Sequence, residues 1–276
     1  MIQINQFEEI TQFRMGRESR GQAPWNPPGQ VFYWTSAYLV EGLLIDTGCP
    51  HTAEEFVHAL EGRSIKAVVN THYHEDHIGA NYLLQQKFGL KIMASRESIP
   101  LIYKVPEIHK YQELIWGYPV PTKVELLPEK IETEHFHFKV VPTPGHCKGH
   151  VALVEPAQGW CFSGDLFVSQ EPKAIRPEEN IAEMAKSMQK LVNLKTERLI
   201  LFTSLGNVIQ DGREALQSCI AYFKDLSQKA KQLEKQGLSA GAIRDKIFGR
   251  ETVLAGISEG DVSAENMIRA ALRAQI

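Results

Sequence analysis

The residues His72, His74, Asp76 and His77 fall within six positions and have the spacing H-x-H-x-D-H. Three imidazoles and a carboxylate converge on one point only where the backbone turns sharply. Imidazole and carboxylate together suit borderline or hard divalent metals, zinc first and then iron, manganese or nickel. The alternative is a charged surface loop that happens to be rich in histidine. The specific spacing favours a metal site, because other parts of the chain supply further ligand types.

Short elements on both sides of this stretch predict that it lies on a strand-to-helix loop. Residues 65–69 form a β-branched run that is typical of a buried strand. Behind the stretch, Gly79 and the apolar spacing of Leu83, Leu84 and Phe88 indicate a helix. Proteins of the α/β class place their sites on such loops.

Four segments of the chain together resemble the motifs of the metallo-β-lactamase fold superfamily, in that family's order. Residues 43–48 (LLIDTG) resemble the first motif, residues 72–77 the second, residues 143–146 (TPGH) the third and residues 163–165 (SGD) the fourth. The resemblance covers roughly residues 30–212. It implies an α/β fold, the four-layer αββα sandwich, with residues 1–212 as the catalytic domain and residues 213–276 as a C-terminal helical extension.

The resemblance also implies the roles of individual side chains. Asp165 would complete a first metal site or bridge two metals, with a water as the alternative fourth partner of the first. Asp46 would be buried support that orients the ligands, and His150 a structural hydrogen-bonding residue. The implied metal ligands are His72, His74, Asp76, His77, His146 and Asp165.

One ligand of the family pattern is missing. The family ends its set with a histidine in a segment resembling Pro-Gly-His-Gly, whereas this chain has Leu205 there and no histidine after His150. A second metal site would keep only three ligands, so it is weak, is empty, or recruits His51 or His109. If it is empty, Asp76 becomes the candidate catalytic base, because a carboxylate near a metal-bound water can take its proton.

Two segments outside the motifs bear on the substrate pocket. Residues 95–130 interleave aromatic residues such as Tyr111 and Trp116 with prolines, which predicts an insertion over the sheet edge. This insertion forms a substrate lid or pocket wall, or it packs against its own domain. The resemblance places the loop of residues 21–29, with Trp25, near the mouth of the site.

The C-terminal part predicts three helices. Residues 211–236 have the apolar spacing of a long amphipathic helix, and Ser239 and Ser263 predict the N-caps of two shorter helices. Earlier in the chain, Thr52 predicts another N-cap, with Glu55 as its capping-box partner. In members of the superfamily such extensions close the substrate pocket or form a homodimer interface, and both alternatives stay open.

Composition narrows the class and the compartment. The chain has 276 residues and a formal net charge of -3, which argues against a nucleic-acid binder with a broad basic surface. The start lacks the pattern of a secretory signal, and no apolar run reaches the length of a membrane span. The four cysteines show no C-x-x-C pairing. These features predict a cytoplasmic protein.

The function that the resemblance implies is metal-dependent hydrolysis, as in glyoxalase II-like and lactonase-like members. A metal-bound hydroxide would attack the carbonyl of a small-molecule ester, thioester or lactone. The expected cofactor is one or two zinc ions, with iron or manganese as alternatives. Two other functions stay open: a mononuclear iron enzyme resembling the persulfide dioxygenases, and a non-catalytic metal-binding or ligand-binding protein.

Overall fold

The computed structural model describes residues 1–19, 28–104 and 107–276, without the side chain of Phe32. The predicted position of Trp25 at the site mouth lies outside the described residues. Within these ranges, no helix is both long and apolar enough to cross a membrane.

The first half of the chain forms a seven-stranded sheet whose strands follow one another in sequence order. The first four strands pair antiparallel and the last four pair parallel. Its strands are β1 (Ile2–Phe7), β2 (Ile10–Glu18), β3 (Val31–Val40), β4 (Leu43–Ile45), β5 (Ala67–Val69), β6 (Lys91–Ala94) and β7 (Glu125–Leu126).

The second half forms a six-stranded sheet with the order β13-β12-β11-β10-β9-β8. All its neighbours pair antiparallel except β11 and β12, which are parallel. Its strands are β8 (Lys130–Glu132), β9 (His137–Pro142), β10 (Val151–Glu155), β11 (Trp160–Gly164), β12 (Ile200–Thr203) and β13 (Val208–Ile209).

Ten helices cover the outer faces of the sheets and the connections between them in the described ranges. They are α1 (Ala53–Ala59), α2 (Glu75–Ile78), α3 (Asn81–Phe88), α4 (Ile99–Tyr103), α5 (Lys110–Ile115), α6 (Ile181–Val192), α7 (Gly212–Lys235), α8 (Ala240–Phe248), α9 (Val253–Ile257) and α10 (Ala264–Arg273).

Strand alternation explains the four layers. Successive side chains of a strand point to opposite faces, so each buried strand contributes to two cores. Val69 and Leu153 meet in the core between the sheets. Their neighbours Val68 and Val154 point outward, Val68 to the core beneath α1 and α3 and Val154 to the core beneath α6 and α7. The predicted αββα sandwich is therefore confirmed.

The C-terminal helices share one core with the second sheet. Residues of α7, α8 and α10 pack in the same buried cluster as α6 and the outer face of β10 to β12. The side chains of Ser239 and Ser263 accept backbone N–H bonds at the starts of α8 and α10, as predicted. The division into domains at residue 212 stays a prediction.

The capping box predicted for α1 is wrong. Thr52 is the N-cap residue of α1, but its side chain makes no capping hydrogen bond. Thr52 already ends a 3-10 turn, Pro50–Thr52, and its hydroxyl donates instead to the carbonyl of Cys49 at 3.2 Å. Glu55 pairs with the N-terminal amino group of Met1.

Candidate metal centre

The six predicted ligands lie just beyond the ends of three strands. His72 and His74 follow β5, and α2 then carries Asp76 and His77. His146 lies in the connection from β9 to β10, and Asp165 directly follows β11. These connections meet where the two sheets face each other, so residues far apart in sequence form one buried cluster.

Three imidazoles and a thiol make up the first group of possible metal ligands. The Nδ1 atom of His74 lies 3.0 Å from Nε2 of His72 and 2.9 Å from Nε2 of His146. The Sγ atom of Cys147 joins them, with all four ligand atoms within 4.8 Å of one another. Sequence reasoning missed Cys147, although it directly follows the TPGH motif.

A second group consists of His72, His77 and Asp165, whose ligand atoms also lie within 4.8 Å of one another. Nε2 of His77 is 3.2 Å from Oδ1 of Asp165 and 3.9 Å from Oδ2 of Asp76. Leu205, at the position of the missing histidine, lines the same cavity as Asp76 and Asp165. The structure thus gathers all the predicted ligands, whose roles stay predictions.

Neither histidine considered as a replacement ligand belongs to these groups. The ring of His51 contacts the carbonyl oxygens of Glu113 and Leu114 in α5, at 3.0 and 3.3 Å. The ring of His109 lies 3.5 Å from the carboxylate of Asp261. The proposal that His51 or His109 completes the second site is therefore not supported.

Asp46 supports the cluster from the end of β4. Its carboxylate accepts hydrogen bonds from the backbone N–H of Thr71 at 2.7 Å and from the Thr71 hydroxyl at 2.8 Å. A third contact, at 2.8 Å, joins it to Nδ1 of His77. Asp46 adopts a left-handed backbone conformation, with φ of 60°, which is uncommon outside glycine and clusters at functional sites.

These contacts fix which ring nitrogens carry protons. His77 must donate from Nδ1 to the Asp46 carboxylate. The Thr71 hydroxyl gives its proton to Asp46 and so accepts from Nδ1 of His72, at 3.1 Å. Nδ1 of His146 donates to Glu179 at 3.0 Å. In each neutral ring the Nε2 lone pair is then left to face the cluster.

Three lone pairs and the carboxylate of Asp165 therefore point at one another inside the protein. Nε2 of His77 and Oδ1 of Asp165 lie 3.2 Å apart and are both buried, and neither has another hydrogen-bond partner among the described residues. Buried acceptors that face each other are costly unless a cation lies between them. The residues present thus fit a divalent metal, and the imidazole-rich set suits zinc or iron.

The pKa values show that, without a metal, a second proton on the His77 ring offsets part of the negative charge of the cluster. Burial opposes a charge on His77, but the carboxylates of Asp46, Asp165 and Asp76 outweigh it and raise the pKa of His77 well above its usual range. Burial also opposes ionisation of Asp165, yet the imidazoles of His77 and His146 hold the pKa of Asp165 well below normal. For Asp76, burial and the neighbouring Asp165 raise the pKa to about 7, against the opposing effect of His77.

A buried arginine that sequence reasoning missed crosses the mouth of the cluster. The guanidinium of Arg176 lies 3.6 Å from the carboxylate of Glu75 and 3.5 Å from Nε2 of His74. Its backbone N–H donates to Glu179 at 2.9 Å, which places that carboxylate beside His146. Gln112 of α5 donates to Glu75 at 2.8 Å, so the insertion also holds the metal loop.

A cavity of about 330 Å³ opens beside the cluster. Trp116 of the insertion and Tyr33 line it and pack edge-to-face, with ring centroids 5.3 Å apart. Leu254 and Val262 of the C-terminal segment line it as well. The insertion and the C-terminal extension therefore both contribute walls to the pocket.

Comparisons with known proteins identify the family and the fold of the chain. Residues 35–203 match the family described as the metallo-beta-lactamase superfamily. The Beta-lactamase-like protein 2 homolog of Drosophila melanogaster is 27% identical over 221 residues, covering 75% of this chain and 70% of that protein. The hydroxyacylglutathione hydrolase GloC of Haemophilus influenzae is 24% identical over 182 residues, covering 62% and 82%. Among solved structures, a beta-lactamase domain protein from Burkholderia ambifaria has the same fold, with a TM-score of 0.67 at 18% identity over 99% of this chain and 83% of that chain. The chain belongs to the metallo-beta-lactamase superfamily.

Proposed function

We propose that this protein is a zinc-dependent hydrolase that cleaves a small-molecule ester, thioester or lactone at its carbonyl. The observation that carries the proposal is the convergence of ring nitrogens of His72, His74 and His146 on one buried point beside Asp165 and a cavity. The superfamily and relatives named hydroxyacylglutathione hydrolase support metal-dependent hydrolysis in general.

His72, His74 and His146 would hold the metal, with Asp165 as a fourth ligand. His77 and Asp165, with Asp76 beside them, would form a weaker second site that lacks the contribution lost at Leu205. A divalent cation bound here would lower the pKa of a coordinated water and polarise the substrate carbonyl.

The chain's own residues then handle protons and orientation. Asp76 lines the cavity, and burial has already raised its pKa to about 7, close to the value that suits a general base at neutral pH. Asp46 and Glu179 hold the rings of His77 and His146 in one orientation. The walls formed by Tyr33 and Trp116 limit the access of water to the reacting carbonyl.

The proposal is tested by elemental mass spectrometry of protein purified without chelators or nickel, together with turnover of ester, thioester and lactone substrates. About one zinc per chain with hydrolysis is expected. His72→Ala should lose both metal and activity, and the control His58→Ala, at an exposed position, should lose neither.

Two results would contradict the proposal. Iron as the only metal, with oxygen consumption on glutathione persulfide, would favour the dioxygenase function. Absence of metal after reconstitution, with no turnover of any of the three substrate classes, would favour a non-catalytic protein.

A further inference from the structure

Charged side chains of the metal cluster and a larger number of apolar side chains line the cavity beside that cluster. Asp76, His146, Asp165, Arg176 and Glu179 belong to the cluster or support it, and Ser169 and Lys173 add a hydroxyl and an ammonium group to the wall. The remaining wall reaches between α6 and α7, where Met188 and Phe223 belong to the buried core. Its volume of about 330 Å³ lies at the small end of ligand sites, which span roughly 300–1,000 Å³.

Leu205 lines the same cavity as Asp76 and Asp165. In the family pattern this position holds a metal-binding histidine, so this chain has hydrocarbon where the pattern has a polar ligand. An apolar chain attached to the substrate carbonyl could therefore pass directly from the metal cluster into the cavity.

A second cavity, of about 180 Å³, lies on the other side of His74. Arg176, which lies near His74 and Glu75, lines both cavities. Four carboxylates line the second cavity: Glu75, Glu107, Glu178 and Asp261. Glu75 pairs with Gln112 and Arg176, and Asp261 pairs with Tyr111, whereas Glu107 and Glu178 are exposed at the surface. This side of the site repels anionic groups.

We propose that the preferred substrate joins an apolar acyl chain of medium length to an uncharged or cationic leaving group. The acyl chain occupies the 330 Å³ cavity, and the leaving group lies on the acidic side. Water adds its hydroxyl to the acyl carbon, the bond from that carbon to oxygen or sulfur breaks, and the leaving group takes the proton, so the products are a carboxylic acid and an alcohol or thiol. This inference rests on the proposed hydrolase function.

The acyl part is tested with 4-nitrophenyl esters from acetate to dodecanoate on the metal-loaded protein. Each added methylene that is buried should raise kcat/KM by up to about fourfold until the cavity is full, after which kcat/KM should fall. Leu254→Trp narrows the cavity and should move the optimum to shorter chains. The adjacent Val253 is 70% exposed and does not line the cavity, so Val253→Trp should leave the optimum unchanged.

The leaving-group part is tested with a matched pair of thioesters, octanoylthiocholine and S-octanoylglutathione. The cationic substrate should have a kcat/KM at least about tenfold higher at low ionic strength, and added salt should reduce the ratio. The double substitution Glu107→Gln and Glu178→Gln should reduce the ratio too. A higher kcat/KM for the glutathione thioester would overturn this part.

A binding measurement separates this inference from the proposed function. Titration calorimetry of 1-octanol into metal-free protein should show binding to the wild type and to Val253→Trp, and weaker binding to Leu254→Trp. Binding without hydrolysis of any ester would support the apolar site while refuting the hydrolase. Hydrolysis with no dependence on chain length and no octanol binding would overturn the inference while leaving the hydrolase in place.

Discussion

The substitution Asp46→Asn is expected to change which nitrogens of His72 and His77 carry protons. The Asp46 carboxylate now accepts from the backbone and hydroxyl of Thr71 and from Nδ1 of His77. An asparagine can keep the hydrogen bond from the Thr71 N–H with its one side-chain oxygen. Its amide nitrogen then faces the Thr71 hydroxyl and Nδ1 of His77. Nδ1 of His77 must accept, which moves the ring proton to Nε2. The Thr71 hydroxyl is released to donate to Nδ1 of His72, with the same result in that ring.

Both changes place an N–H group where, in the wild type, a ring lone pair would face a bound metal. Loss of one partner of a metal-binding histidine typically lowers metal affinity by about 10–100-fold. Because His72 belongs to the first site whereas His77 belongs to the weaker second site, we expect the affinity of the first site to fall by at least about tenfold, or about 1.4 kcal/mol. Asparagine tolerates the left-handed backbone of residue 46, so the fold should survive the change.

The assay is competition for zinc between the protein and a chromophoric chelator, with urea unfolding of the metal-free protein as the test of folding. Glu155→Gln is the matched control, because Glu155 is also buried and accepts the N–H of Gln158 outside the site. A folded Asp46→Asn protein whose zinc affinity stays within about threefold of wild type would refute the assignment of ring protons to Asp46 and Thr71.

Three further predictions concern the same cluster. Glu179→Gln weakens the bond that orients His146 and should lower zinc affinity about tenfold in the same competition assay, whereas Glu178→Gln, at an exposed neighbour, should not. Leu205→His restores an imidazole beside Asp76 and should raise metal content, measured by elemental analysis, from about one toward two per chain; an unchanged ratio would show that the second site lacks more than this ligand. In metal-free protein the pKa of Asp76 is raised to about 7 from 3.8, so the folded state holds a proton that the unfolded chain releases, and the stability of the wild type relative to Asp76→Asn should fall by about 1.4 kcal/mol per pH unit between about pH 4 and pH 7. Urea unfolding of Asp76→Asn across that range should lack this slope, and equal slopes would show that Asp76 ionises normally.

The layers and the full ligand set were predicted from the resemblance of four motifs to the superfamily, whereas local patterns alone predicted the strand-to-helix loop that carries residues 72–77. Alternation of apolar and polar residues is typical of strands such as β9. The H-x-H-x-D-H spacing places its four polar residues on one loop. The supporting position of Asp46 could also be predicted, because the turn after a short buried strand places the Asp46 carboxylate beside the end of the next strand. The inferences about the strands, the loop and Asp46 need no knowledge of how distant segments pack, whereas the convergence of His146 and Asp165 with this loop was predicted only through the resemblance.

Arg176 and Glu179 could not be predicted in the same way. They lie in a connection between β11 and α6 that has no regular periodicity, and the path of this connection is set by tertiary contacts. Ile175 pairs with Ser263 in an isolated bridge, and the Asn180 N–H donates to the carbonyl of Gly145 at 2.8 Å. Both partners are distant in sequence, so only the folded chain shows that this connection reaches the metal loop.

The same tertiary contacts explain why the C-terminal extension bears on the chemistry. The bridge from Ile175 to Ser263 anchors the segment that carries Leu254 and Val262, and both of these line the cavity. Leu205, at the position where the family pattern has a ligand, lines the same cavity from a different part of the chain. Leu205 and the C-terminal segment therefore contribute to the same feature. Their apolar side chains line the cavity that Asp76 and Asp165 also line. The polar residues of the weaker second site and the apolar side chains of the C-terminal segment thus border one cavity, which is the arrangement that the proposed acyl site requires.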